Sequence, residues 1–377
     1  LLTTKGSRLN LRSLHIFGGK AGGIVGSDSN VTVEQCIFEH NKSDEDGAAI
    51  RLEDGALDLS NCTFIDNKAV TSRGGALYTA RSSLTISACN FTNNAAEFGG
   101  AIYASHAQVS DASFLGNKSK GRTGRGLKDG DPADDDSDDG KGGAIYMSGV
   151  NTTDRSVSFF GNSVCTESEV EGRRSRGGCI YVERGEIEIR GGELSNNSAE
   201  DQGGGIHVGR DARLHLFDTR LRENAARVGG GLAIDGDAKH VAIIRGHFSQ
   251  NRASLKGGAV YVGRVSSHPH GGSRRLEVRL TGGSCEENSA DESGGAMYVN
   301  SGVHLDITGG TYAGNSARYN GGGVWLSEAS LTCSGATMKD NVANDEGGAI
   351  YAQAAHEMYS DCDIMGNSGR SGAAICE

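Results

Sequence analysis

Phe91-Thr-Asn-Asn94 and, five residues on, Gly99-Gly100-Ala101-Ile102-Tyr103 form a unit that the chain repeats along its length. The F-x-x-N block recurs at Phe38–Asn41, Phe64–Asn67, Phe91–Asn94, Phe114–Asn117, Phe159–Asn162 and Phe248–Asn251. Looser copies stand at Leu194–Asn197, Leu221–Asn224, Cys285–Asn288, Tyr312–Asn315, Met338–Asn341 and Ile364–Asn367. The apolar residue that closes each glycine block falls at Ile24, Ile50, Leu77, Ile102, Ile145, Ile180, Ile206, Leu232, Val260, Met297, Val324, Ile350 and Ile375. These positions lie mostly 25 to 28 residues apart, with three longer intervals of 43, 35 and 37. A fixed period of about 26 residues with three insertions is the signature of a solenoid, which overrides the two or three domains that 377 residues would otherwise suggest.

Inside a cycle the apolar residues alternate with period two, which means short strands. Leu84, Ile86, Cys89, Phe91, Ile102 and Ala104 fall on an interior column, while Thr85, Asn90 and Tyr103 point outward. The pattern predicts three strands per coil, with turns at Asn93-Asn94 and at the glycine pair, because Asn and Gly both tolerate positive φ. Each strand pairs with its counterpart one cycle away, giving a parallel β-helix, right-handed by the crossover rule. Thirteen coils at about 4.8 Å each would make a rod of roughly 60 Å. Helix is disfavoured, since glycine pairs interrupt every cycle and no window carries a helical apolar face. The chain starts and stops inside the repeat without a visible polar cap, so we expect a segment of a longer polypeptide or a unit stacked end to end.

A net charge of −11 argues against nucleic-acid binding, and no apolar run reaches the roughly 18 residues of a membrane span. The insertions are expected over 118–141, 163–176 and 264–275. The first runs from basic to acidic and reads as a disordered, solvated loop. Its acidic part, 129–139, is the one place where Ca²⁺ binding comes into question, and otherwise no cofactor is expected. His268 and His270 in the third insertion read as solvated polar surface rather than as metal ligands.

The alternation of Gly-Gly-Ala-(Ile/Leu/Val) with Phe-x-x-Asn resembles the repeat of polymorphic outer-membrane proteins, which are bacterial autotransporter adhesins. It is also similar to right-handed β-helix surface proteins of algae and other protists. The resemblance covers nearly the whole chain and implies the fold more strongly than a function. Nothing here resembles the β-barrel that anchors an autotransporter. The Asn-Thr-Asp and Gly-His-Gly blocks of polygalacturonase-like β-helix enzymes are missing as well: Asn151-Thr-Thr153 lacks the aspartate, and Gly246-His247 runs on into Phe248. We therefore expect no catalytic site.

Cys36, Cys62 and Cys89 each sit two residues before the aromatic of their block, so they stack in one column within disulfide reach or stand as a ladder of free thiols. Cys165 and Cys179 flank the second insertion and are candidates to pin its base. Seven sequons, at Asn30, Asn41, Asn61, Asn90, Asn117, Asn151 and Asn196, are candidate glycan acceptors. Tyr78, Tyr103, Tyr146, Tyr181, Tyr261, Tyr298, Trp325 and Tyr351 all follow the closing residue of the glycine block. Eight of the eleven Tyr and Trp residues thus share one outward row. That row reads either as a structural ladder of rings or as a flat platform for sugars or a protein neighbour.

These features suggest a non-enzymatic extracellular structural or adhesive glycoprotein, a stiff rod in a surface layer, wall or filament. Its partners would be other surface or filament proteins, itself end to end, or glycans. The alternative is an autotransporter-type adhesin passenger. A polysaccharide-degrading β-helix enzyme stands third.

Overall fold

The computed structural model describes residues 2–121, 140–148, 156–160, 164–166, 169–170, 174–266 and 275–376, with backbone alone between 156 and 170. Among them the chain is all β and every strand pairing is parallel, each strand adding to its equivalent one cycle away. One coil shows the plan. Leu77–Ala80 lies in a first sheet, Ser83–Ser87 in a second, Asn90–Thr92 in a third and Ala95–Ala96 in a fourth. The next coil repeats it in register, with Tyr78 beside Tyr103, Leu84 beside Ala107, Phe91 beside Phe114 and Ala95 beside Lys118.

Most coils thus have four strands rather than the expected three. The fourth is only two residues long in most coils, too short for alternation to announce it. Nor does the expectation of thirteen coils carry over as one number, since the four sheets hold 14, 13, 13 and 11 strands among the described residues.

The interior is built from columns. Leu84, Ile86, Cys89, Phe91, Ile102 and Ala104 are all buried, as their alternation predicts. Phe38, Phe64, Phe91 and Phe114 stack with centroids 4.7–4.9 Å apart and planes within 9°. Parallel strand pairing sets this spacing, and it suits face-offset aromatic contact.

The asparagine of each block has a different role from the one its turn propensity suggests. The left-handed conformation belongs to the residue before it, Asn93 at φ 53° for example. Asn94 itself is fully buried. Its Nδ2 donates to Asn117 Oδ1 at 3.0 Å and to the Phe64 carbonyl at 3.0 Å, while its Oδ1 accepts from both the backbone N–H and Nδ2 of Asn67. The same pattern runs through Asn41, Asn67, Asn94 and Asn117, and again from Asn197 through Asn224, Asn251, Asn288, Asn315 and Asn341 to Asn367. A side-chain ladder satisfies the polar groups that the chain buries as it turns.

The glycine pair has a steric reason. In Gly257-Gly258, the first residue has φ +67°, and a Cβ on the second would lie 2.2 Å from the Gly295 carbonyl oxygen. Successive coils approach backbone to backbone at this corner.

One block was misassigned by its sequence. Phe159 pairs with Val109 in the second sheet, and Cys165 pairs with Phe114 in the phenylalanine column of the third. Phe159–Asn162 is therefore not a ladder block in its coil. Extra chain falls before Ser156, not only after Asn162, because Val164–Thr166 and Glu169–Val170 are strands of the third and fourth sheets. Lys118–Ser119, counted at the start of the first insertion, is likewise a strand of the fourth sheet.

Candidate interaction surface

The aromatic row occupies the outer face of the first sheet. Tyr78, Tyr103, Tyr146 and Tyr181 stack with centroids 4.8–5.2 Å apart, and His207 continues the stack at 5.2 Å with planes 5° apart. Ala233 interrupts it. Tyr261, Tyr298, Trp325 and Tyr351 then form a second run, closest at 4.0 Å between Tyr298 and Trp325.

The rings are outward with respect to the sheet but not open to solvent. Tyr103 is 9 % exposed and Tyr181 4 %, and only Tyr261 and Tyr351 are half-buried. The cover comes from the residue just before each glycine pair. Arg73 lies over Tyr78 and Tyr103 at 5.0 and 4.9 Å, Phe98 leans on Tyr146, Lys141 lies over Tyr181 at 5.4 Å and Lys256 over Tyr298 at 4.7 Å. Cations held over ring faces contribute favourably when partly desolvated. Burial raises the hydroxyls of Tyr78 and Tyr146 above the usual tyrosine range and pushes Tyr298 up to about 12.

This geometry corrects the reading of the row as a flat platform. Within each run the rings stack face on face, and Arg73, Phe98, Lys141 and Lys256 cover Tyr78, Tyr103, Tyr146, Tyr181 and Tyr298. The row is a structural ladder along a sheet.

His207 escaped sequence reasoning, although it occupies the ladder position two residues past Gly205, where a ring was to be expected. It is 1 % exposed and neither ring nitrogen has a hydrogen-bond partner. Burial holds it well below the usual imidazole range, with Arg176 and Lys141 adding to the effect. Tyr312 was read only as a loose copy of the phenylalanine position and proves to be a fully buried core ring.

The row also shows where an open surface lies. In the three coils before Tyr78, the ladder position holds Thr3, Val25 and Arg51. The smaller side chains leave a trough of about 440 Å³ lined by Thr3, Thr4, Lys5, Val25, Gly26, Ser27, Arg51 and Glu53. Arg51 is committed to Glu53, through Nε at 3.0 Å and a terminal nitrogen at 2.8 Å, and also reaches Glu45. The trough is thus charge-paired along one wall, with the Thr3 and Ser27 hydroxyls and Lys5 left to meet a ligand. Round the corner, the second sheet exposes Asn30, Asp58, Ser83, Thr85 and Gln108, a polar face on adjoining strands that carries a single carboxylate among these residues.

The sequons divide sharply. Asn41 and Asn117 are fully buried ladder members whose Nδ2 atoms are both donating, so they are not glycan acceptors in the folded chain. Asn30, Asn61, Asn90 and Asn196 are exposed. Asn151, His268, His270 and the acidic stretch 129–139 lie outside the described residues.

Cys36, Cys62 and Cys89 do stack, but as free thiols. Each sulfur donates to the carbonyl two residues earlier, Glu34, Ser60 and Ser87 at 3.2–3.3 Å. The three sulfurs therefore share one orientation, one coil apart, and Cys89 Sγ also accepts from the Cys62 backbone N–H at 3.3 Å. Cys179 is disulfide-bonded, whereas the Cys165 side chain lies outside the described residues.

Comparison with known families agrees with this architecture. Residues 1–91 match the right-handed beta helix region family, and residues 88–105 and 335–353 each match the Chlamydia polymorphic membrane protein repeat. The chain is a right-handed parallel β-helix that resembles polymorphic outer-membrane autotransporter passengers. The two repeat matches hold the ladder blocks Phe91–Asn94 and Met338–Asn341 with the ladder rings Tyr103 and Tyr351. Nothing among curated proteins or solved structures matches the chain. Among the described residues no helix is long and apolar enough to cross a membrane.

Proposed function

We propose that this β-helix is a non-enzymatic adhesive passenger, displayed at a cell surface and binding through its lateral faces. The observation that carries the reading is the polymorphic membrane protein repeat, matched twice on a stack locked by asparagine and aromatic ladders. These matches favour the adhesin over the glycosylated rod. The rod reading also loses two of its glycan sites, because Asn41 and Asn117 serve the interior. On a stiff scaffold the polar second-sheet face and the trough beside Arg51 are held in fixed relation, which suits recognition of another surface.

Intact-glycopeptide mass spectrometry of the native protein separates the two readings. An adhesin passenger of bacterial type leaves Asn30, Asn61, Asn90 and Asn196 bare. Glycans on several of them would return the assignment to a secreted structural glycoprotein.

A further inference from the structure

We infer that Cys333 and Cys362 form a disulfide that fastens one coil of the stack to the next. Cys333 points inward from the second sheet, in register with Ile307 on one side and Tyr359 on the other. Cys362 stands in the next coil, at the corner immediately before the third-sheet strand Asp363–Met365. Their sulfurs lie 2.7 Å apart, close to the bonding distance of about 2.05 Å.

The repeat explains why this pair meets so closely. Cys362 occupies the corner position of Cys36, Cys62 and Cys89, and its sulfur likewise faces the carbonyl two residues back, Ser360 at 3.5 Å. In that orientation a corner sulfur lies against the inward column of the preceding coil. Cys62 shows it, with Sγ 3.4 Å from the carbonyl oxygen of Val33, 29 residues earlier. Twenty-nine residues before Cys362 the inward column holds Cys333, where earlier coils carry Val33, Leu59 and Ile86. Sulfur then meets sulfur.

The bond forms by exchange with a low-molecular-weight disulfide. Cys362 is half-buried and Cys333 fully buried, so reaction starts at Cys362. Its thiol gives a proton to solvent, and the thiolate attacks the small disulfide and expels one small thiolate. Cys333 then loses its proton and attacks Cys362 Sγ, expelling the second. Two protein thiols become one disulfide, and the small disulfide is reduced to two thiols.

The test uses the full chain incubated with glutathione disulfide, blocked with iodoacetamide under denaturing conditions and digested without reductant at acidic pH. The expected product is a linked pair of peptides carrying Cys333 and Cys362, lighter by two hydrogens than the sum of its reduced parts. Cys362→Ala and Cys333→Val, which place residues found at the same column positions in other coils, should each abolish it. In the oxidised wild type, proteolysis around residues 340–365 should be several-fold slower than in either variant. Recovery of both cysteines singly alkylated, or of either joined elsewhere, would overturn the assignment even if the variants folded poorly.

Discussion

Replacing Asn251 by alanine is expected to destabilise the fold by about 4 kcal/mol, near the upper end for a single substitution. The side chain closes four hydrogen bonds within a buried ladder. Its Oδ1 accepts from the Asn224 backbone at 3.1 Å and from Asn224 Nδ2 at 3.0 Å, and its Nδ2 donates to the Leu221 carbonyl and to Asn288 Oδ1, both at 2.9 Å. Truncation leaves those buried partners unpaired, and an orphaned buried polar group costs roughly 1–3 kcal/mol. The cost is less than a sum over four bonds, because the ladder relaxes locally. Amide hydrogen exchange gives the sharpest readout: the Asn224 N–H should lose protection while that of Asn67, several coils away, keeps it, since a solenoid couples only neighbours. The exposed control Asp58→Ala should stay within about 0.5 kcal/mol.

Gly258→Ala is expected to cost at least about 3 kcal/mol, through a different mechanism. The added methyl would stand 2.2 Å from the Gly295 carbonyl oxygen and 2.6 Å from that of Ser289, both backbone atoms of the adjoining coil. Relief requires the coils to separate, which breaks the parallel pairing on either side. The reverse change at the next position, Ala259→Gly, should cost only about 1–2 kcal/mol, from added chain entropy and one lost buried methyl. Chemical denaturation followed by β-sheet circular dichroism distinguishes them. Equal midpoints for the two variants would show that close approach of the coils does not dictate the glycine.

Much of this fold was legible in the sequence because the same interior position recurs every coil. A period-two pattern is weak in one strand of three residues, but a dozen stacked copies make it unmistakable. The features that escaped are those a period does not encode. Asn94 and Tyr103 were read by local rules, a turn former and an outward strand position, and both rules stop at a single coil. Burial of Asn94 follows from the identical asparagine above and below it, which supplies the partner that an isolated asparagine would lack. Burial of Tyr103 follows from stacking and from Arg73 of the preceding coil folding over it. The fourth strand went unseen because Ala95–Ala96 offers neither length nor contrast. The candidate surface was less legible still. The trough beside Arg51 exists because three coils lack a ring at the ladder position, and a missing side chain gives no motif to find.

The most direct test of the adhesive reading is retention of beads carrying the folded chain on cultured epithelial cells under washing. Beads coated with heat-unfolded chain and with albumin serve as references. Several-fold greater retention by the folded chain, competed by the same chain in solution, is the predicted result. Retention no greater than that of the two references would contradict an adhesive passenger and leave a β-helix whose lateral faces serve no binding.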